Sequence, residues 1–549
     1  MAATVAELLV RRANDPNPGL RTYDRTWAWQ EVVAESAARS SFLSSIREAP
    51  TGWALHVGVL LDNVPEYVFL LFGAALSGAV VVGVNPTRRG EELAGDIRHT
   101  DCQMVLTDAA SAPLLEGLDL GGCTVVSVDG PDWAARLAAH GGSELPAPLP
   151  QPDDLFVLLF TSGSTGAPKA VRLSQGRAAR TAAASSVAFT SDDVLYCAMP
   201  LFHGNALLAN LLPGLVSGAG VALRPRFSAS AFLPDVRRHG CTYFNYVGRA
   251  LSYILAVPEA PDDRDNPLKW GLGSEASPRD IAEFRRRFGC HVVEGYGSSE
   301  GAVVISPFPG MAPEALGRPK EGLDVAVVDP ATGTECERAR FGGGRRLLNP
   351  AGAIGEIVGR DGLSSFEGYY ANPEADAERA RGGWYWTGDL GYRDEDGTFY
   401  FAGRTADWLR VDGENFAAGP VERILGRFPG VVAAVVYAVP DPRTADQVMA
   451  ALEMGAGVAF DPEAFAGFLA TQPDLGTKWE PRFVRVVDRL PLTATRKHDR
   501  QPLRAARWET TDPVWWRPEP GEPYRRLTAD DIAALHQAFA DSGRAGMLA

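Results

Sequence analysis

Leu155-Phe156-Val157-Leu158-Leu159-Phe160-Thr161-Ser162-Gly163-Ser164-Thr165-Gly166-Ala167-Pro168-Lys169-Ala170 is the stretch on which the reading of this chain turns. Five consecutive apolar residues, Leu155 to Leu159, read as a strand buried on both faces. The next eleven residues pack four hydroxyls, two glycines and a lysine into one segment. Glycines let backbone N–H groups approach phosphate oxygens, hydroxyls donate at short range, and a lysine adds a point positive charge. A strand running into such a loop is expected to bind polyphosphate. It is not a Walker A loop, in which Lys is followed by Ser or Thr at a helix start; here Pro168 precedes Lys169 and Ala170 follows it. A plain solvated Gly/Ser turn would need neither the strand before it nor the lysine after it.

Outward from this segment the chain alternates apolar strands with helix-length stretches. Residues 68–84 are apolar apart from Ser77 and approach the minimum length of a transmembrane helix. Ser77-Gly78 divides them, however, into a helical half and a β-branched half, Ala79-Val80-Val81-Val82, closed by Asn85-Pro86. A buried helix feeding a parallel strand is the expectation. Val105-Leu106, Val125-Val126 and Val221-Leu223 continue the α/β pattern. From Gly355-Glu356-Ile357-Val358 to Tyr400-Phe401 the sequence becomes rich in strands and turns, as in a small sheet or distorted barrel. Beyond Arg404 a compact α+β region contains the strand candidate 431–437 and the helix candidate 464–469. The last segment, 512–549, holds Trp515-Trp516 and a helix candidate capped at Thr528 with Asp530-Asp531 in its first turn.

Composition sets limits. A chain of 549 residues implies more than one domain. The net charge of -15 offers no basic stripe to neutralise nucleic-acid phosphates or to dock on anionic lipid. Neither nucleic acid nor membrane is therefore an expected partner. The six cysteines, Cys102, Cys123, Cys197, Cys241, Cys290 and Cys336, are scattered without a Cys-x-x-Cys pair and read as reduced thiols of a cytoplasmic protein. The N-terminal residues lack a basic stretch followed by an apolar one, so no signal peptide is expected.

Further motifs stand in a fixed order along the chain: Pro200-Leu201-Phe202-His203, Gly273-Ser274-Glu275-Ala276-Ser277-Pro278, Gly295-Tyr296-Gly297-Ser298-Ser299-Glu300-Gly301, Trp386-Thr387-Gly388-Asp389-Leu390, Phe401-Ala402-Gly403-Arg404, and Pro491-Leu492-Thr493-Ala494-Thr495-Arg496-Lys497. Together with the phosphate loop, this series resembles the adenylate-forming superfamily of acyl-CoA synthetases, aryl-CoA ligases, carrier-loading adenylation domains and luciferases. The resemblance spans residues 20 to 508. It implies a large N-terminal domain to residue 404, built of α/β subdomains and a small distorted β-barrel. A mobile α+β C-terminal domain over 405–511 would follow, leaving 512–549 as an extension of unknown role.

The resemblance also implies the chemistry: ATP and Mg²⁺ activate a carboxylic acid to an acyl-adenylate, and CoA as co-substrate then takes the acyl group. On this pattern Thr161, Ser162, Gly163, Ser164, Thr165, Gly166 and Lys169 hold phosphates. Ser274, Glu275, Ala276, Gly295, Tyr296, Gly297, Ser298 and Ser299 line the adenine side. Asp389 and Arg404 meet the ribose. Glu300 holds Mg²⁺, and Lys497 bridges the α-phosphate and the substrate carboxylate. His203, Tyr246, Val247, Gly248 and Gly297 border the acyl pocket, and Gly413 serves the thioester step. Negative charge crowds the reacting centre, so cations and donors held in advance suit it.

Two positions depart from the family pattern. Ala406 stands where the pivot between domain orientations is usually Asp or Lys, and Arg496 replaces a glycine before the catalytic lysine. These departures leave open a second reading, in which the adenylate passes to a partner or carrier protein. The run 407–415, with Gly58-Val59-Leu60-Leu61-Asp62-Asn63 and Asn85-Pro86-Thr87-Arg88-Arg89-Gly90, is similar to fatty-acid-transport-type and actinobacterial ligases of steroid side-chain acids. A steroid or terpenoid acid is thus the substrate class implied. The aromatic segment 243–249 suits an apolar body without specifying one. A homodimer is an assembly open to such a chain.

Overall fold

The computed structural model describes all residues except 1–2, 47–53, 162–168, 248–249, 275, 277, 313–314, 346, 405–407, 412–413, 443–445, 473–474, 477, 494–496, 520, 543–544 and 549. The chain forms two compact units, one of Met1–Val304 with Gly362–Gly383, the other of Ile305–Asp361 with Trp384–Ala549.

The first unit is built on two sheets. In the six-stranded one, Leu155–Thr161 lies beside Val80–Gly83, followed outward by His56–Leu60, Met104–Thr107 and Thr124–Ser127, all parallel. Lys169–Ser174 returns antiparallel on its other side. The helix expected ahead of Val80 runs Pro65–Ser77, with every residue from Tyr67 to Leu76 buried and Gly78 capping it at φ +75°. Its apolar length belongs to the core; among the described residues no helix is long and apolar enough to cross a membrane. The seven-stranded sheet orders His291–Glu294, Trp270–Gly273, Tyr243–Asn245, Val194–Cys197, Gly220–Leu223 and Pro18–Arg21 in parallel, with Thr26–Ala28 antiparallel at the edge. Gly220–Leu223, buried throughout, matches the apolar run 221–223 marked in the sequence, whereas His291–Glu294, exposed or half-buried along its length, was not marked as a strand.

In the second unit an antiparallel sheet runs Val325–Val328, Gly355–Gly359, Trp384–Arg393, Phe399–Arg404 and Ala315–Pro319. A further sheet orders Val431–Pro440, Asp446–Met454, Phe483–Val487, Val514–Trp516 and Arg525–Arg526. The last two strands come from the C-terminal extension. Trp516 stacks on Phe483 with centroids 5.8 Å apart, and Trp508 stacks on the other side at 4.9 Å. Phe539, on the helix Ala529–Asp541, is fully buried in the same cluster. That helix begins at the expected cap, Thr528, with a reciprocal capping box to Asp531. Residues after 512 are therefore part of this unit's core.

The six cysteines are free thiols. Burial pushes Cys123 and Cys336 up to about 11 and Cys102, Cys197 and Cys290 up to about 12, so they are inert apolar filler.

Candidate functional site

In both sheets of the first unit the expected site segments leave the carboxyl ends of parallel strands. Val194–Cys197 leads to Pro200-Leu201-Phe202-His203, Tyr243–Asn245 to Tyr246 and Val247, Trp270–Gly273 to Ser274, and His291–Glu294 to the Gly295–Gly301 signature. Strands in parallel register end together, so turns from neighbouring strands gather along one rim, where open α/β sheets bind ligands.

The phosphate-loop residues Ser162, Gly163, Ser164, Thr165 and Gly166 lie outside the described residues, but both ends of the loop are held. Thr161 and Lys169 are opposite one another across the antiparallel ladder, and the Thr161 hydroxyl donates to the Lys169 carbonyl at 3.4 Å. Lys169 is only 4 % exposed. Its Nζ lies 2.8 Å from Glu378 Oε2 and 6.0 Å from the centroid of the Tyr369 ring. The hydrogen bond from Lys169 holds the Glu378 carboxyl below its ordinary range.

Glu300 is 7 % exposed, and the Tyr369 hydroxyl donates to its Oε1 at 2.8 Å. Burial first, and then the Glu300 charge, raises the Tyr369 phenol, which therefore stays protonated as the donor. Below the signature, buried Arg177 donates to the carbonyls of Ser299 at 2.9 Å and Glu300 at 2.8 Å. Glu367 anchors this arginine at 3.2 Å and also accepts from the Ser174 hydroxyl at 2.5 Å. Gly301, at φ +70°, closes a turn from Ser298, whose carbonyl accepts the Gly301 N–H at 3.0 Å. Gly297 and Ser298 are exposed, and Tyr296 and Ser299 half-buried.

His203 is half-buried and caps the short helix Gly204–Ala206, with its ring 5.7 Å from that of Phe202. Asn63 clamps the segment leading to it: its Nδ2 donates to the Met199 carbonyl and its Oδ1 accepts the Leu201 N–H, both at 2.8 Å. A Cβ on Gly204 would lie 2.6 Å from Ser299 Oγ, so a larger residue here would have to turn that hydroxyl away.

Tyr246 and Val247 are both buried. The Tyr246 ring stacks on Phe244 and lies flat against Gly273, where an added Cβ would sit 2.4 Å from it. Its hydroxyl donates to Glu294 Oε1, which also accepts the Ala276 N–H at 3.2 Å. Tyr246 thus supports Ser274 and Ala276 from the core side. Gly295 continues the ladder by donating to the Gly273 carbonyl at 3.0 Å. Glu275 and Gly248 lie outside the described residues.

In the second unit Asp389 and Arg404 are direct partners across the ladder of Trp384–Arg393 and Phe399–Arg404. Asp389 is half-buried, and its N–H bonds the Thr387 hydroxyl at 3.0 Å. The Thr387 hydroxyl in turn donates to the Ile357 carbonyl at 2.7 Å. Gly388, at φ +74°, donates to the buried Glu356 carboxylate at 2.7 Å. Lys497 lies on the returning arm of a tight loop: Thr493 N–H bonds the Lys497 carbonyl at 2.8 Å, and Lys497 N–H bonds the Thr493 hydroxyl at 3.2 Å. Gly413 and the departures Ala406 and Arg496 lie outside the described residues.

Arg177, Tyr369, Glu294 and Glu378 were absent from the sequence reading, and Asn63 and Glu356 stood there only inside quoted stretches, without a site role. Glu356 carried a signal, a lone carboxylate in the apolar run 355–358. Glu294 directly precedes the signature. Nothing local marks Tyr369, whose partner is 69 residues away.

The family model described as AMP-binding enzyme matches residues 11–370, and the AMP-binding enzyme C-terminal domain matches 420–497. The chain is 54 % identical to the steroid-22-oyl-CoA synthetase of Rhodococcus jostii (strain RHA1), over 98 % of each chain. It is 45 % identical to the medium/long-chain-fatty-acid–CoA ligase FadD17 of Mycobacterium marinum (strain ATCC BAA-535 / M), over 93 % of this chain and 98 % of the relative. In fold it is similar to the anthranilate CoA ligase AuaEII in complex with anthranoyl-AMP, with a TM-score of 0.80 and 22 % identity, covering 92 % of this chain and 98 % of that one. The chain belongs to the AMP-binding enzyme family, and within it is an AMP-forming acid–thiol ligase of the acyl-CoA synthetase type.

Proposed function

We propose that this ligase activates a bulky, polycyclic apolar acid of steroid or terpenoid type and completes thioester formation with CoA itself. The observation that carries the reading is the 54 % identity, end to end, with a ligase named for a steroid acid. Tyr243 and Phe244, on opposite faces of their strand, pack into separate core clusters, and Tyr246 shares that of Phe244, so the substrate class rests on the relative and not on these rings.

The roles follow from charge. Thr165 and neighbouring N–H groups, with Thr161 and Lys169 at the ends of their loop, bind the β- and γ-phosphates. Glu378, whose carboxylate is half-exposed, holds the Lys169 ammonium until phosphate competes for it. Glu300 suits Mg²⁺: a hard carboxylate with one oxygen fixed by Tyr369 is the donor set that a cation sharing substrate phosphates requires. When bound, Mg²⁺ neutralises phosphate charge. Asp389 accepts hydrogen bonds from ribose hydroxyls beside Arg404, and Tyr296 offers a face to adenine. Lys497 stabilises charge shared between the carboxylate and the α-phosphate. His203 borders the acid, and Gly413 keeps the thiol path clear.

Specificity constants for a steroid acid, a diterpenoid acid, palmitate and acetate, with ATP, Mg²⁺ and CoA, test the reading. A rigid body loses little conformational entropy on binding, whereas a flexible chain must freeze many torsions. The ring-bearing acids are expected to lead by at least roughly tenfold. Palmitate leading by that factor would return the enzyme to ordinary fatty acids.

A further inference from the structure

Three asparagines join three separate elements of the first unit into one hydrogen-bonded chain. Asn210 lies in the wide helical turn Leu207–Leu211, which closes with i→i+5 geometry, and is fully buried. Its Nδ2 is 2.9 Å from the Tyr196 carbonyl and 2.7 Å from Asn245 Oδ1. Asn245, 3 % exposed at the end of the strand Tyr243–Asn245, places Nδ2 2.5 Å from Asn205 Oδ1. Asn205 is half-buried and follows Gly204, the residue packed against Ser299 of the signature.

The polarity of this chain is fixed from its inner end. A carbonyl can only accept, so the atom of Asn210 facing Tyr196 must be the NH₂ group. Its second hydrogen goes to Asn245, which must then present oxygen and direct its own NH₂ at Asn205. Asn205 consequently accepts from within and has its NH₂ at the outer end, with no hydrogen-bond partner among the described residues. The wide turn itself has a local cause. Pro213 lacks the N–H that would bond the Ala209 carbonyl, and the buried Tyr243 hydroxyl donates there instead, at 2.9 Å. Wide turns of this kind are frequent at functional sites. Burying the amides of Asn210 and Asn245 is unfavourable unless they do something an apolar core cannot, and the Asn210 Oδ1 is without a partner among the described residues.

We propose that Asn205 is the specificity-determining end of a built polar subsite, donating from Nδ2 to an acceptor oxygen, a hydroxyl or ketone, on the body of the acid. The subsite lies one residue from Gly204, which packs on Ser299 of the signature. It rests on the proposed preference for ring-bearing acids only in its choice of skeleton. Because the relay offers donors alone at its end, a ketone serves as well as a hydroxyl.

The test compares specificity constants within matched sets: 5β-cholanate against the same skeleton with a ring hydroxyl or a ring ketone, and stearate against 12-hydroxystearate and 12-oxostearate. In the wild type the oxygenated members are expected to lead by roughly ten- to a hundredfold, with ketone and hydroxyl within about threefold of each other. Asn205→Leu is expected to bring both ratios to within about threefold of one. A ratio between acids differing by one oxygen cancels any general loss of activity in the variant. If the ring acids are not turned over, the ring reading fails and the stearate set decides the subsite by the same ratios. Absence of any oxygen preference in the wild type, or ratios unchanged in Asn205→Leu, would overturn the proposal.

Discussion

Replacing Tyr369 by Phe removes one oxygen and little else. The ring keeps its edge contact with Phe366, 5.5 Å between centroids, and its position 6.0 Å from Lys169 Nζ. What disappears is the hydroxyl that donates to Glu300 Oε1 at 2.8 Å, from a phenol 3 % exposed to a carboxylate 7 % exposed, and that also interacts with Arg379. Water cannot readily replace it at that depth. A hydrogen bond to a charged group is worth about 1.5–3 kcal/mol, and a buried acceptor left without its donor bears the desolvation penalty in full. The first unit should therefore melt roughly 2–6 °C lower, given that about 1 kcal/mol moves a unit of a few hundred residues by 2 °C or slightly less. The same loss releases Glu300 from one fixed orientation, and the carboxylate must be reordered in each turnover. If all of it appears in the transition state, pyrophosphate release falls by roughly ten- to a hundredfold, and a partial share gives a few-fold. The assay is acid-dependent pyrophosphate release titrated with Mg²⁺ at saturating ATP. The half-saturating Mg²⁺ concentration is expected to rise along with the fall in rate, while a Tyr370→Phe control, whose hydroxyl bonds Asp101 on the surface at 2.8 Å, changes neither. Unaltered Mg²⁺ dependence with a lowered melting temperature would show that Tyr369 supports the fold without positioning Glu300.

Lys497→Ala should cut adenylate formation by roughly a hundredfold or more while ATP binding survives, because a preorganised charge contact acts mainly in the transition state; pyrophosphate release within a few-fold of wild type would exclude that role. Asp389→Ala should raise the KM for ATP strongly with little effect on the KM for the acid, and an unchanged ATP response would reduce Asp389 to a turn residue. Asp96 supplies a pH dependence: burial, partly offset by Arg88 at 3.0 Å, pushes its carboxyl from 3.8 to about 7. A raised carboxyl binds its proton more tightly in the folded state, so its contribution is complete below pH 4 and declines as pH rises through about 7, by at most about 4 kcal/mol. Asp96→Asn should flatten that decline, so that the melting-temperature gap between variant and wild type widens from pH 5 to pH 8; parallel curves would show that Arg88 keeps Asp96 ionised throughout.

What was legible in the sequence follows from the range of the interactions that fix it. The strand Leu155–Thr161 and the helix Pro65–Ser77 announce themselves because each is buried along its whole length, and a continuous apolar run has few other solutions. The cap at Thr528 was equally visible, since its partner Asp531 is three residues on. The extension was set apart because it lies beyond the recognised motifs, yet Val514-Trp515-Trp516 has the β-branched and aromatic character of a strand and forms one. Its place at the edge of a sheet depends on Phe483 and Trp508, which no local pattern connects to it.

Residues that bear charge and stand in glycine-rich turns were legible one by one; the residues that hold them were not. Asn63 is 136 residues from the carbonyl it clamps, Arg177 is 123 from Glu300, and Glu378 is 209 from Lys169. Asn63 follows the strand His56–Leu60, Arg177 lies in the helix Gln175–Ser185 and Glu378 in the helix Pro373–Arg379, so tertiary folding alone joins them to their partners, with no repeat or spacing to betray it. The asparagine relay is the sharpest case. Read singly, Asn205, Asn210 and Asn245 look like cap, helix and strand-end residues, and asparagine is ordinary at two of those places. Only the Tyr196 carbonyl, by fixing which end of Asn210 faces inward, turns three ordinary amides into a directed chain. Directionality is thus a property of the assembled rim, and it is also what makes the proposed preference testable. An amide presenting its oxygen would take a hydroxyl and refuse a ketone, whereas this one presents its NH₂ and takes either.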